Sequence, residues 1–350
     1  MPEWRCPRCG FRTSLWSQYL FKCPRCEHPL ELEYEIRFEP RGRGLFRYSS
    51  MLPFTPDKTR GEGSTPLVRE VLNSVEVFFK LEYLNPSGSF KDRGSALAAY
   101  YAYRMGFDKV VEDTSGNTGI SVALFARLYG LEARIIMPKT APEGKKKLVR
   151  KLGGIVVEAS DRSEAASKAL EFARDHFYVA HTWSPLFTTG FTTIAYEIYE
   201  EAGVPDAIIL PVGSGSLLLG VYQGFRSLVK LGVVQRIPVI YGVQGYSVQP
   251  VFKAVKGYEE KGEESTLADG VMVPNPPRLS EIASKIREAK GDVILVGNTE
   301  IAEATRELWE MGFTVEPTSA IVLAALRKMA DALRGKRTAL ILTGSGLKVM

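Results

Sequence analysis

The chain of 350 residues is long enough for two domains and a small additional module. Its hydrophobic content of 45% and charged content of 24% are typical of a soluble globular protein, and no apolar run reaches the roughly 18–20 residues that a membrane span needs. The net charge of +5 comes without a basic stripe interleaved with aromatic residues, so nucleic-acid binding is not indicated.

The N-terminal residues lack the apolar core of a secretory signal, and we therefore expect a cytoplasmic protein. The same segment holds all four cysteines, as the pairs Cys6/Cys9 and Cys23/Cys26 with 13 residues between the pairs. This spacing is typical of a zinc ribbon, whose four thiolates close a tetrahedral shell. We predict a structural zinc or similar metal, because disulfides are rare in the cytoplasm. Many ribbons bind nucleic acid, so a ribbon-based binding protein with a vestigial enzyme body is the rival class.

The rest of the chain alternates β-branched runs with helical patterns. A ribbon strand is predicted at 31–37, and a glycine-, arginine- and proline-rich linker follows at 40–44. Later strands are predicted at 75–81, 109–112, 133–137, 154–158, 207–210, 239–244, 293–296 and 339–342. Helices are predicted at 92–105, 117–129, 163–175, 189–202, 216–231, 299–311 and 318–334. This alternation predicts an α/β fold with mainly parallel sheets, in which ligands collect at the carboxyl ends of strands.

Lys91 lies in a short polar turn, in the sequence Asn-Pro-Ser-Gly-Ser-Phe-Lys-Asp-Arg-Gly over 85–94. A lysine that forms a Schiff base needs a neutral amine and a fixed approach to an aldehyde. Taken alone, Lys91 has an alternative interpretation as a surface lysine near the start of a helix.

The densest basic run of the chain, at 145–151, is typical of the solvated face of a helix.

Three small-residue loops follow predicted strands. The first, at 115–119, offers backbone N–H groups and a positive helix end to a carboxylate or phosphate. The second alternates glycine and serine at 213–216 and suits a phosphate. It lacks the Gly-Lys-Ser/Thr ending of a nucleotide-binding P-loop and the G-x-G-x-x-G spacing of a dinucleotide-binding loop. The third, at 343–348, follows the last strand. Each loop taken alone has a structural alternative as an ordinary turn beside a helix or at the chain end.

These motifs, in this order, resemble those of the threonine synthase family, which are pyridoxal-phosphate (PLP) enzymes of fold type II. The matching segments are 63–67, Lys91, Asn117, 213–217, 316–320 and 343–348. The resemblance implies a zinc ribbon at 1–38, a large PLP-binding α/β domain at 39–95 plus 190–350, and a small α/β domain at 96–189. Both domains would be three-layered, and some relatives carry a similar ribbon.

The resemblance also implies roles for single residues. Lys91 would hold the cofactor as an aldimine and transfer protons during the reaction. Asn117 would bond the ring hydroxyl of the cofactor, and Thr343 would face its pyridine nitrogen. The residues of the loop that would hold the cofactor phosphate are Gly213, Ser214, Gly215, Ser216 and Leu217. The residues that would bind the substrate carboxylate are Ser115, Gly116 and Thr118.

Two segments depart from the family pattern. Phe191 and Thr192 stand where threonine synthases commonly carry polar and basic residues that help bind the distal phosphate of O-phosphohomoserine. Ser345 stands where the family commonly has histidine. Because phenylalanine and threonine do not replace the lost charge, the distal phosphate site is either built from other residues or absent.

The expected reaction converts O-phosphohomoserine and water into threonine and phosphate. The alternative is β-replacement or elimination on O-phosphoserine, serine or threonine, as in cysteine or cysteate synthases or dehydratases. The expected partner is a small amino-acid substrate, and neither nucleic acid nor membrane is expected. A homodimer is expected only by analogy with the family.

Overall fold

The computed structural model describes residues 1–348. Its strands are Glu3–Arg5 (β1), Arg12–Ser14 (β2), Glu31–Glu33 (β3), Leu67–Leu72 (β4), Val75–Lys80 (β5), Lys109–Asp113 (β6), Glu132–Pro138 (β7), Ile155–Ala159 (β8), Phe177–Tyr178 (β9), Ala207–Pro211 (β10), Val239–Gly245 (β11), Val293–Val296 (β12) and Arg337–Ile341 (β13).

The α-helices lie mostly between these strands. They are Lys91–Arg104 (α1), Asn117–Leu128 (α2), Glu143–Lys151 (α3), Arg162–Phe172 (α4), Pro185–Ala202 (α5), Ser216–Lys230 (α6), Pro250–Lys256 (α7), Leu279–Glu288 (α8), Asn298–Glu310 (α9), Pro317–Lys328 (α10) and Ala330–Leu333 (α11). Short 3-10 helices occupy Gly44–Met51, Glu82–Leu84, Asp269–Val271 and Gly346–Lys348. Within residues 1–348, no helix combines the length and apolar character needed to cross a membrane.

The predicted α/β fold with mainly parallel sheets is confirmed. Each predicted strand and helix is present, with ends that differ by a few residues, although the ribbon strand predicted at 31–37 is only the three residues of β3. The prediction missed β1, β2, β4, β9, α7 and α8, and it gave α3 only as a helical face at 145–151. The basic composition of α3 led to its description as a solvated face, but Lys145 and Lys146 are buried there, so that description is wrong for these two lysines.

The chain forms two compact units. The first unit comprises residues 1–63, 85–190 and Lys348, and the second comprises 64–84 and 191–347. The division predicted from the sequence differs from these units in where it places the ribbon and residues 39–63 and 85–95, and it remains a prediction.

The first unit is built on a four-stranded parallel sheet in the order β8-β7-β6-β9. All four strands run in one direction, so their carboxyl ends lie along one edge. The loops at that edge lead to Ser115, Lys145, Arg162 and His181, after β6, β7, β8 and β9 respectively. The first unit therefore gathers polar residues from distant parts of the chain at one sheet edge.

The N-terminal segment of the first unit is a three-stranded antiparallel sheet in the order β2-β1-β3. Its aromatic side chains pack on the body of that unit: Trp4 and Tyr101 meet edge to face at 6.0 Å, and the rings of Tyr19 and Phe177 are 4.2 Å apart. The Tyr101 hydroxyl donates to the carbonyl of Leu15 at 2.6 Å. Aromatic pairs of this kind fix the segment against α1 and β9.

The second unit is built on a six-stranded sheet in the order β12-β11-β10-β13-β5-β4. The strands are parallel except for β4, which pairs with β5 as an antiparallel hairpin. A two-residue turn joins this hairpin, and Asn73 and Ser74 both have positive φ, as a tight hairpin turn requires. The core of this unit packs α10 against the sheet, with Ile321, Leu323 and Ala325 buried.

Candidate active site

Lys91 is the first residue of α1, and the loop before it is held by hydrogen bonds within the first unit. The turn at 85–88 closes through a bond from the Gly88 N–H to the Asn85 carbonyl at 2.7 Å. The Asn85 side chain accepts from the N–H of Gly63 at 2.9 Å. Lys91 itself is half-buried, and its ammonium nitrogen lies 4.8 Å from the centre of the Phe90 ring. The lysine is thus presented from a fixed turn at the start of a helix.

Asp92 ties this turn to the next helix. Its buried carboxylate accepts from the Ser87 N–H at 2.6 Å and from the Ser121 hydroxyl of α2 at 2.6 Å. The Lys348 ammonium donates to the Gly88 carbonyl at 2.6 Å and adds a positive charge nearby. Burial nevertheless raises the pKa of Asp92 to about 6, against the opposing effect of the serine donors.

This shift predicts a pH dependence of stability. Because the pKa of Asp92 is higher in the folded protein, its contribution to stability is complete below pH ~4 and is lost as pH rises towards about 6. We expect Asp92→Asn to remove that decline, which is on the order of 3 kcal/mol. Urea unfolding between pH 4 and 7 measures it. Asp108→Asn, at an exposed carboxyl, serves as the control, and equal slopes for wild type and Asp92→Asn would contradict the expectation.

The loop from Ser115 to Thr118 leads directly into α2. Gly116 is the N-cap of this helix, no described side chain caps it, and its first turn has no acidic residue. By contrast, the Asp161 carboxylate caps α4 by accepting from the N–H groups of Ser163 and Glu164. The positive end of α2 therefore lacks an acidic residue in its own first turn, which fits the predicted binding of a carboxylate.

Two cations that the sequence analysis did not assign lie against this loop. The Arg162 guanidinium donates to the Ser115 hydroxyl at 3.1 Å. The Lys145 side chain packs on Gly116, with its ammonium nitrogen 3.0 Å from the point that a Cβ atom on Gly116 would occupy. Lys145 is only 3% exposed, so it contributes a buried positive charge to the loop. The basic run was visible in the sequence, but the sequence did not show which of its side chains face this loop.

In the second unit, the loop from Gly213 to Leu217 joins β10 to α6. Gly215 is the N-cap, with φ of +81°, and a Cβ atom there would lie 2.1 Å from the Ile282 side chain. Only glycine fits this position. No described side chain caps α6, its first turn carries no acidic residue, and the Ser214 and Ser216 hydroxyls lie 3.4 Å apart. These donors fit a phosphate group.

Thr343 follows β13, which is the neighbour of β10 in the same parallel sheet. Its buried hydroxyl lies 2.9 Å from the Ser319 hydroxyl, and the N–H of Gly344 donates to Ser319 at 2.7 Å. The sheet therefore brings the loop at 213–217 and Thr343 to one edge of the second unit. A neutral hydroxyl at this position fits a pyridine nitrogen without forcing its protonation.

Phe191 and Thr192, the departures from the family's polar segment, are buried on α5 in the second unit. Phe191 is among the largest fully buried side chains of the chain. The Ser345 hydroxyl accepts from the N–H of Leu347 at 3.3 Å. These residues have packing and turn roles that need no anionic ligand.

The four cysteines form a cluster in the N-terminal segment. All four sulfur atoms lie within 4.8 Å of one another, with Cys6–Cys26 and Cys9–Cys23 at 3.5 Å. The two turns share one geometry, in which the N–H of the residue four positions on donates to the carbonyl of Cys6 or Cys23. A tetrahedral zinc with bonds of about 2.3 Å separates its sulfurs by about 3.8 Å, so this donor set fits the metal.

Comparison with known proteins agrees with this arrangement. A family model for "Pyridoxal-phosphate dependent enzyme" matches residues 58–344. The threonine synthase of Methanosarcina acetivorans is 28% identical, covering 93% of this chain and 86% of that protein. The threonine synthase of Synechocystis sp. is 32% identical, covering 88% and 84%. Among solved structures, the processed form of threonine deaminase isoform 2 from Solanum lycopersicum has a TM-score of 0.68 and 26% identity, covering 80% and 83%.

Each unit by itself offers groups that fit PLP: the first has a lysine at a fixed turn and the uncapped start of α2, and the second has the uncapped start of α6 and a buried threonine hydroxyl. The family match spans these segments, and the relatives align over most of the chain. The chain therefore belongs to the PLP-dependent enzymes of fold type II, within the threonine synthase family.

Proposed function

We propose that the protein converts O-phosphohomoserine and water into threonine and phosphate, with Lys91 as the residue that carries PLP. The observation that supports this substrate is that two cationic side chains, those of Lys145 and Arg162, contact the loop that starts α2. A substrate with one carboxylate needs only one positive group there, whereas a phosphate adds nearly two further negative charges at pH 7. Two cations and an uncapped helix end match a doubly anionic amino acid better than a neutral one.

The roles of the chain's residues follow from this proposal. Bound PLP supplies an electron sink for the charge left when the substrate Cα loses its proton. Lys91 accepts and returns that proton, and the N–H group of Thr118 with the Ser115 hydroxyl orients the carboxylate beside Gly116, whose own N–H donates to the Thr114 hydroxyl at 3.1 Å. Lys145 and Arg162 hold the distal phosphate and stabilise its charge as it leaves. We assign the cofactor ring hydroxyl to Asn117.

The remaining cofactor contacts are assigned in the second unit. We assign the cofactor phosphate to the loop at 213–217 and its pyridine nitrogen to Thr343. We also propose that Cys6, Cys9, Cys23 and Cys26 bind a structural zinc, since four thiolates leave no open coordination position for catalysis. A cytoplasmic location remains a proposal from the N-terminal sequence, and a homodimer remains a proposal by analogy with the family.

The alternative function is β-replacement or elimination on O-phosphoserine, serine or threonine. It is supported by the buried apolar side chain of Phe191, which stands where threonine synthases commonly carry polar residues. The similarity to a plant threonine deaminase points in the same direction. It would use the same Lys91 and need a smaller substrate pocket.

Product analysis separates these functions. The PLP-loaded protein is given O-phosphohomoserine, O-phosphoserine with and without sulfide, or threonine. Phosphate and threonine from O-phosphohomoserine would support the proposed function. Turnover of O-phosphoserine alone would identify a β-replacement enzyme, and 2-oxobutyrate from threonine alone would identify a deaminase.

The two cations give a sharper prediction. Lys145→Met and Arg162→Met each remove a charge while keeping most of the side-chain volume, and we expect each to lower kcat/KM for O-phosphohomoserine by roughly 10²-fold. Lys147→Met, at an exposed lysine of the same helix, is the matched control. If both variants turned over the phosphorylated substrate like wild type, the distal phosphate would have to bind elsewhere.

A further inference from the structure

Glu112 and His181 form a buried pair at the carboxyl edge of the sheet in the first unit. Glu112 is the fourth residue of β6, and His181 follows β9, the parallel neighbour of β6. Their side chains share a hydrogen bond between Glu112 Oε1 and His181 Nδ1. The Glu112 side chain is fully buried, and that of His181 is 15% exposed. The substrate loop begins at Ser115, only three residues after Glu112.

Packing links this pair to the start of α1. The ring of His181 meets the ring of Phe187 edge to face at 6.1 Å. Phe187 in turn lies against Gly94, where a Cβ atom would come within 2.3 Å of it. Lys91 and Gly94 are three residues apart on one helix and thus share a face. The histidine ring is therefore placed on the side of α1 from which Lys91 is presented.

At neutral pH the pair holds two protons, one on the Glu112 carboxyl and one on the His181 ring, and carries no net charge. Burial raises the pKa of Glu112 to about 8 and lowers the pKa of His181 to about 3. The charge of Lys91 favours the ionised form of Glu112 and disfavours the charged form of His181. The protonated carboxyl then donates to Nδ1, which leaves the proton of the neutral ring on Nε2.

Other ionisable groups surround the pair. They are Lys91 of α1, Asp113 of β6, Arg162 of α4, Tyr178 of β9 and Tyr19 of the N-terminal segment. Asp113 accepts from the Tyr178 hydroxyl at 2.6 Å and favours a charged His181, whereas Arg162 opposes it. Lys91 is the group of this set whose charge changes during the proposed reaction.

We propose that Glu112 and His181 act together as a general acid that releases a proton when Lys91 becomes charged. The Glu112 proton moves to Nδ1 while His181 gives its Nε2 proton to the reacting molecule. The pair is left as a carboxylate beside a neutral ring protonated at Nδ1. Its new negative charge offsets the ammonium charge that Lys91 gains from the substrate proton, so the net charge around the cofactor stays constant. This proposal rests on the proposed role of Lys91 but not on the identity of the substrate.

Nitrogen NMR of the histidine rings in the PLP-free protein tests the coupling. The chain has only three histidines, so His181→Asn assigns the signal, and His176, which pairs with exposed Asp175, is an internal control. We expect the His181 ring to stay neutral at pH 5–7 and to shift its proton from Nε2 to Nδ1 near pH 8. Lys91→Ala should raise that midpoint by on the order of one pH unit. Lys168→Ala, at a half-buried lysine of α4, should leave it unchanged.

The proposal would be overturned if the His181 ring showed no tautomer change between pH 6 and 10, or if the midpoint of that change were the same in wild type and Lys91→Ala. A kinetic test of the loaded enzyme uses whichever substrate is turned over. Glu112→Gln and His181→Gln should each lower kcat by roughly 10²-fold and abolish the fall in kcat above pH 8, with His176→Asn as control. Wild-type rates and pH profiles in both variants would exclude the pair as an acid while leaving Lys91 and the substrate assignment intact.

Discussion

Replacing Lys91 by alanine should leave a folded protein that turns over no substrate, with a loss of at least about 10⁴-fold in kcat. The lysine carries both the covalent attachment of PLP and the proton transfer at Cα, so no neighbouring group replaces it. Alanine is well tolerated at the first position of a helix, and the side chain of Lys91 is only half-buried. Steady-state assays and the visible spectrum of the PLP-loaded protein measure the effect.

The spectrum makes this test specific. Wild-type protein should be yellow, and Lys91→Ala should lose the band of lysine-bound PLP without changing its circular dichroism. Lys151→Ala, at an exposed lysine near the end of α3, should retain both colour and activity. Substantial residual turnover in Lys91→Ala would remove this lysine from the mechanism. A colourless wild-type protein unable to take up PLP would instead favour the binding-protein hypothesis for the N-terminal segment.

Cys6→Ser should lower the zinc content from one equivalent to less than about a tenth at equal protein concentration, because one thiolate is lost from a closed shell. Zinc binding to such sites is worth on the order of 10 kcal/mol, so the N-terminal segment should also lose protection from proteolysis. The yellow band should remain, since none of the residues assigned to PLP belongs to the N-terminal segment that holds the four cysteines. Metal analysis and limited proteolysis test both expectations.

His28→Ala is the matched control for this experiment. His28 lies two residues after the last cysteine, and the backbone carbonyl, not the ring, accepts from the N–H of Cys23 at 2.8 Å. Full zinc content in His28→Ala together with loss in Cys6→Ser would support four thiolate ligands. Loss of the yellow band along with the metal in Cys6→Ser would show that the N-terminal segment supports PLP binding.

The order of elements and the small-residue loops could be predicted from the sequence because both depend on local patterns. β-branched runs at 207–210 and 239–244 predict strands, and glycines before 216 predict a helix start. The parallel arrangement then places loop residues at the carboxyl edge of each sheet. These predictions needed no knowledge of which residues meet across the chain.

The positions of the two cations at the substrate loop and of the Glu112–His181 pair could not be predicted, because they depend on tertiary contacts. Arg162 and Ser115 are 47 residues apart, and Glu112 and His181 are 69 residues apart. Lys145 lies in a run of similar lysines, and only the packing of α3 decides that it is buried while Lys147 is exposed. Composition marks the basic run, but the direction of each side chain follows from the fold.

The aromatic contacts of the N-terminal segment have a consequence for how the protein is made on the ribosome. The Tyr19 hydroxyl donates to the carbonyl of Tyr178, a residue synthesised 159 positions later. At 5–20 residues per second, the segment waits on the order of ten to thirty seconds before its docking surface on β9 exists. Until Tyr101 has been made, Trp4 and Tyr19 also lack that ring as a partner, and the proposed zinc would be what orders the nascent N-terminus. Metal supply during translation, rather than afterwards, is therefore what we expect to govern the yield of folded protein.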